Sequence, residues 1–99
     1  KIEYEEIMVK AKILKAFSQT KNKQVIGARM ESGLMEKGSL VKIMRREEEI
    51  GRGKVKELQQ SKIAVESIAE GSEFGAMVEA KLEVAPGDYL ERVVTVSNK

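Results

Sequence analysis

The chain has 99 residues, 18 Lys and Arg against 16 Asp and Glu for a formal net charge of +2, and neither cysteine nor histidine. That length fits one domain with one core that needs no covalent staple, while the missing residue types exclude disulfides, thiolate nucleophiles, sulfur-rich zinc sites and the commonest general base. No apolar run approaches the ~20 residues of a membrane span and no secretory leader is legible, so a soluble domain with no membrane partner is expected.

From residue 7 the odd positions Ile7, Val9, Ala11, Ile13, Lys15 and Phe17 alternate with Lys10 and Lys12, a period of two that predicts one long strand with the odd positions on one face. Residues 18–22 are polar and turn-prone. Residues 24–30 read as a second strand, in which Gly27 marks a bulge or a close backbone approach. Gly33 and Gly38 bracket a short connection. Residues 40–45 alternate again, Val41 and Ile43 against Lys42 and Met44. A charged tip at 46–49 leads into residues 50–58, the returning strand of a hairpin, with Gly51 and Gly53 as expected bend points. Residues 63–69 carry Val65 and Ile68 at a spacing that suits either a short strand or one helical turn. In residues 73–80, Phe74, Ala76, Val78 and Ala80 share a face. Pro86-Gly87-Asp88 signals a turn, and residues 89–96 read as the closing strand. Six to eight strands at about ten-residue spacing predict an all-β sandwich or barrel, and the glycine-punctuated strands favour a closed antiparallel β-barrel without open edges.

Catalytic motifs are wanting. Gly51-Arg52-Gly53-Lys54 lacks the spacing and the following helix of a phosphate loop. Glu47, Glu48 and Glu49 would point to alternate faces of a strand, as a solvated tip rather than a cation site. Tyr4, Phe17, Phe74 and Tyr89 are too few rings for an open base-stacking platform, and the methionines read as core filler. Binding signals remain. Lys10, Lys12, Lys15, Lys21, Lys23 and Arg29 form a run with no acid among residues 10–29, which either faces RNA phosphates or merely solvates the strands. Gly27 and Gly75, each inside a strand pattern, either admit a ligand to the backbone or relieve crowding in a curved sheet.

Several stretches, taken in order, carry a resemblance: Ala11-Lys12-Ile13-Leu14-Lys15-Ala16-Phe17-Ser18, Val25-Ile26-Gly27-Ala28-Arg29-Met30-Glu31-Ser32-Gly33, Val41-Lys42-Ile43-Met44-Arg45, Gly53-Lys54-Val55-Lys56-Glu57-Leu58, Gly71-Ser72-Glu73-Phe74-Gly75 and Gly87-Asp88-Tyr89-Leu90-Glu91. Together they resemble the carboxy-terminal barrel of bacterial-type translation initiation factor two, itself similar to the second domain of elongation factor Tu. The resemblance runs over residues 3–91. It implies a single barrel over residues 7–96 behind an entry linker at residues 1–6, where Tyr4-Glu5-Glu6 is similar to the family's linker. A monomeric fragment of a larger multi-domain factor is expected.

The resemblance further implies a module that performs no reaction, holds no metal or cofactor itself, and recognises the formylmethionyl acceptor end of initiator tRNA on the ribosome. GTP and Mg would belong to a separate domain of the longer factor, in the cytoplasm or in an organellar matrix or stroma. Carried over position by position, Glu73 and Gly75 keep the family's identities and Lys62 keeps a lysine. Ala28 and Phe74 stand where the family usually has cysteines, and Gln59, Gln60 and Ser61 stand where it has a Lys-Arg-aromatic triplet. These eight positions are the expected tRNA site, with the basic run as an additional RNA-facing patch. The competing expectation is a protein-interaction or spacer barrel that contacts the ribosome or neighbouring domains without recognising tRNA.

Overall fold

Apolar and charged side chains alternate along the long strands, and a period of two can bury only one face of a sheet. Closing the sheet on itself buries that face without a second layer. The computed structural model describes residues 3–98, with side chains described for residues 8–17 and 20–93. Its strands are β1 (Glu3–Thr20), β2 (Lys23–Ser32), β3 (Met35–Glu36), β4 (Leu40–Arg45), β5 (Glu48–Gln60), β6 (Ile63–Val65), β7 (Ser67–Ile68), β8 (Glu73–Ala80) and β9 (Tyr89–Asn98). Six of them form the antiparallel ring β1–β2–β8–β5–β4–β9, which returns to β1. This is the expected all-β closed barrel. The segment over 63–69 resolves as strand: β6 extends the sheet beyond β5, and β7 pairs with β3. β1 already starts at Glu3, so the ladder with β9 runs through residues expected to form the entry linker.

Val9, Ala11, Ile13, Ile26, Met30, Val41, Ile43, Val55, Leu58, Val78 and Leu90 fill the interior, and Met35 and Ile68 from the short β3–β7 pair join them. Two methionines, Met30 and Met35, are therefore core filler, whereas Met8 is exposed. Among the described side chains, alternation on β1 breaks once. The pairing with β2 slips between Ile13 and Lys15, so Ala16 packs against the core while Lys15 and Phe17 face outward. Phe17, expected on the inner face, is 55% exposed for this reason. A slip in the β4–β5 pairing leaves Ile50 between Gly51, opposite Ile43, and Glu49, opposite Met44. This is the bend expected near Gly51, where any Cβ would run into the Leu82 side chain.

The hairpin turns are unusual chemically. Lys21-Asn22, Arg46-Glu47 and Ser61-Lys62 each link paired strands with only two residues, and all six have φ between 51° and 68°. Such left-handed pairs match the twist of the strands but are normally built with Asn and Gly. Here Asn22 alone suits the geometry, so tertiary pairing imposes these turns on residues that disfavour them. Gly33 answers a different demand: at φ 74° its missing Cβ leaves room for the Met8 carbonyl, which would otherwise lie 2.8 Å away.

The irregular segment between β8 and β9 is held by two polar side chains. Gln24 is 1% exposed; its Nε2 donates to the Phe17 and Val84 carbonyls at 2.9 Å each. Its Oε1 accepts from the Val84 N–H at 2.7 Å, so one side chain satisfies Val84 as a neighbouring strand would. Asp88 receives both Nε and Nη2 of Arg45 at 2.9 Å and the Ala85 N–H at 2.9 Å. Among the described residues no buried side-chain nitrogen or oxygen lacks a partner.

Burial is the largest single influence on the Asp88 carboxyl and pushes its pKa up. The Arg45 hydrogen bond, the Ala85 N–H and the guanidinium charge together outweigh it and hold the group below its ordinary value. A depressed folded-state pKa contributes stability above the unfolded value of about 3.9, and that stability is lost as pH falls through the folded value. Urea midpoints measured from pH 7 downward should therefore fall below about pH 4 in the native chain, and Asp88→Asn should remove part of that acid-dependent loss while lowering the midpoint at pH 7. Parallel profiles for the two proteins would contradict this account.

Candidate RNA-end interface

Strand pairing gathers residues that lie far apart in sequence. Opposite positions on neighbouring strands project to the same face, so the ladders define rows across the barrel wall. One outward row reads Lys15, Gly27, Gly75, Gln59 across β1, β2, β8 and β5. The row above it reads Lys12, Arg29, Glu73. The row below sets Val25 opposite Met77, with Glu57 opposite Met77 on the far side. Gln59 leads into Gln60 and the Ser61-Lys62 turn, which returns as β6 beside it.

The centre of this surface is bare backbone. Gly27 and Gly75 face each other directly and neither has a positive φ. A Cβ on Gly27 would meet only Lys15 Cβ at 3.7 Å, and one on Gly75 only the Ile26 carbonyl at 3.8 Å, both ordinary van der Waals contacts. The fold therefore has room for a Cβ at either position, and crowding around that atom, the plainer explanation for the two glycines, does not account for them. Their effect is a flat floor edged by Arg29 and Glu73 on one side and by Val25 and Met77 on the other. Beside it opens a cavity of about 160 Å³ lined by Val25, Glu57, Gln59, Gly75, Ala76 and Met77.

The expected site residues separate into three groups. Glu73, Gly75, Gln59, Gln60, Ser61 and Lys62 lie on or beside the outer surface just described. Ala28 and Phe74 are opposite each other too, but they point into the barrel, 1% and 6% exposed, and their side chains serve the core. Of the basic run, Lys12, Lys15 and Arg29 edge the glycine floor. Lys10 stands over the Tyr89 ring at 4.6 Å from its centroid, a cation–π contact on the β9 side of β1. Lys21 occupies a turn and Lys23 lies opposite Glu79, four positions or about 13 Å along β2 from Gly27, at the other end of the wall. The run thus contributes three cations to one place rather than six to a continuous face.

Val25, Met77 and Glu57 are the members of this surface that motif reasoning passes over. The signal for the first two exists in the pattern: each is an apolar residue at an outward position of a strand whose other outward positions are charged or glycine. No cluster of three or more acidic groups able to hold a metal ion occurs among the described residues.

The closed six-stranded antiparallel ring has the architecture of the second domain of elongation factor Tu. No protein-family model matches the chain. It is 35% identical over 86 residues, 87% of its length, to translation initiation factor IF-2 of Anaplasma marginale (strain St. Maries). Identity to the IF-2 of Ehrlichia ruminantium (strain Gardel) is 36% over 74 residues, 75% of the chain. With the IF-2 of Myxococcus xanthus (strain DK1622) it is 28% over 98 residues, 99% of the chain. The chain belongs to the translation initiation factor IF-2 family, and it spans only about a tenth of the length of these relatives, 9–10% in each case.

Proposed function

We propose that the barrel binds the acceptor end of initiator tRNA, with the formylmethionyl group over the Gly27–Gly75 floor and the terminal phosphates against Lys12, Lys15 and Arg29. The observation that carries this reading is the open glycine pair. Neither glycine is demanded by backbone angle or by space, and both lie where a bound group would touch main chain. The adjoining cations supply what a ribose-phosphate chain requires, because each neutralised phosphate releases condensed counterions. Gln59 supplies neutral hydrogen-bonding groups suited to an uncharged formamide. Ala28 and Phe74 act from beneath, setting the packing of β2 and β8 that keeps the floor flat.

Titrating the chain with formylmethionyl-tRNA and with methionyl-tRNA tests the proposal. Tighter binding of the formylated form is expected, and Gly75→Ala should weaken it while leaving thermal stability nearly unchanged, since the floor has room for a Cβ. Equal binding of the two forms, or undiminished binding by the variant, overturns the reading.

A protein-contact reading rests on another part of the wall. Met8 lies opposite Val93, and Leu40, 71% exposed, lines a groove with Val93 and Lys42. Such an apolar row suits a neighbouring domain or a ribosomal protein, and it lies across β1, β9 and β4, away from the glycine floor.

A further inference from the structure

Across β1, β9 and β4 an apolar row and a charged row run side by side. Met8 lies opposite Val93, and the β4–β9 register, carried two positions beyond the Lys42–Glu91 pair, sets Leu40 next to Val93. Leu40 is 71% exposed and the other two about half. Two residues along the same strands, on the same face and about 7 Å away, the ladders line up Lys10, Glu91, Lys42 and Arg52. A groove of about 740 Å³ opens here, its lining carrying Lys42, Arg52, Lys54 and Arg92 against Glu79 and Glu91. Glu49 sits 3.9 Å from Lys42 and 3.0 Å from Arg52. Arg92 instead donates to the nearly buried Ser39 hydroxyl at 2.7 Å, and Lys54 has no carboxylate within ion-pair distance among the described residues. The groove therefore keeps a surplus of positive charge around an apolar centre.

Apolar in the middle and charged at the rim is the order of a protein interface, whereas an RNA strand would use the cations and gain nothing from Leu40. Charge and spacing narrow the partner further. Two inter-strand steps take the apolar row across about 10 Å. Seven residues of α-helix rise by about the same distance, so side chains at i, i+3 or i+4, and i+7 come over Met8, Val93 and Leu40 in turn. An extended segment repeats about every 7 Å on one face and falls out of step with the row. We infer that this wall docks an amphipathic helix of a protein partner, its apolar stripe on Met8, Val93 and Leu40 and an acidic flank along Lys10, Lys42 and Arg52. The inference rests on the protein-contact reading of this wall and is independent of tRNA binding at the glycine floor.

The probes are three synthetic peptides of equal length, titrated against the native chain beside oligouridylate. One presents leucines at helical spacing with glutamates along the flank, the second has lysines in place of the glutamates, and the third scrambles the first so that the stripe is broken. The native chain should bind the glutamate-flanked peptide about tenfold more tightly than either of the others, and oligouridylate should not displace it. Leu40→Ser, at an exposed position outside the core, should weaken that binding about tenfold. Lys42→Glu with Arg52→Glu should reverse the preference in favour of the lysine-flanked peptide, and circular dichroism confirms that each variant folds. A glutamate-flanked peptide bound no better than the other two, with Leu40→Ser still weakening all three, overturns the acidic helix while leaving a protein contact here standing. Displacement by oligouridylate assigns the wall to RNA and overturns the inference. So does self-association of the native chain in sedimentation equilibrium that Leu40→Ser abolishes, which assigns the wall to a second copy. No binding of any peptide, or binding that Leu40→Ser does not change, refutes the protein-contact reading together with the inference.

Discussion

Replacing Gln24 by Leu is expected to lower the stability of the barrel by about 3 kcal/mol, roughly a 15 °C fall in melting temperature for a chain of this size. Leucine matches glutamine in volume and fits an apolar interior, so lost packing is not the cause. The cost arises because three hydrogen bonds vanish at once and leave the Val84 N–H, the Val84 carbonyl and the Phe17 carbonyl unpartnered beneath the β8–β9 connection. Gln24→Glu supplies a discriminating companion. Its carboxylate can still accept from the Val84 N–H but confronts two carbonyls, so its folded-state pKa should rise and the variant should be more stable at pH 5 than at pH 7. Differential scanning calorimetry of the three proteins reads this directly. A Gln24→Leu variant within about 0.5 kcal/mol of the native chain would show that the connection is held by something else.

The second large effect concerns RNA. Converting Lys12, Lys15 and Arg29 together to alanine should weaken tRNA binding roughly a hundredfold at moderate salt and reduce the slope of log affinity against log salt by about two units. Converting Lys21 and Lys23 should do far less, although they belong to the same run of sequence. Fluorescence titrations at several salt concentrations separate the two cases. The prediction is spatial: a diffuse cationic attraction would make the five residues interchangeable, whereas the ladder geometry puts three at the floor, Lys23 about 13 Å away along β2 and Lys21 in the turn before it. If the Lys21 and Lys23 changes cost as much as the triple, binding is not localised where we place it.

Much of the architecture was legible in the sequence because it depends on alternation, and alternation is a local property. Phe74, Ala76, Val78 and Ala80 point inward as their spacing predicts, and so do Val41 and Ile43. What escaped depends on partners distant in the chain. Phe17 faces outward because of a slip against β2 that no inspection of β1 alone reveals. Gln24, a polar residue in a strand pattern, gives no hint of the loop it holds sixty residues away. The turns at Arg46-Glu47 and Ser61-Lys62 lack the glycine that announces a tight hairpin. For the candidate site, motif resemblance points to Glu73, Gly75 and the β5–β6 turn, yet it sets Ala28 and Phe74 beside them without distinguishing the two faces of the wall. Period-two parity makes that distinction once strand membership is known. The opposition of Gly27 and Gly75 needed the register, which sequence does not supply.

The glycine-poor turns also bear on the order of events in folding. A hairpin whose central residues are pushed into a disfavoured backbone well cannot stand alone, since the local loss outweighs the few ladder bonds that a single pair of strands provides. Nucleation must then come from the assembled wall, with distant strands meeting before their connections tighten. A barrel built in that way should cross its barrier late and slowly for its length, and substitutions at the turn tips should alter how fast it comes apart more than how fast it forms.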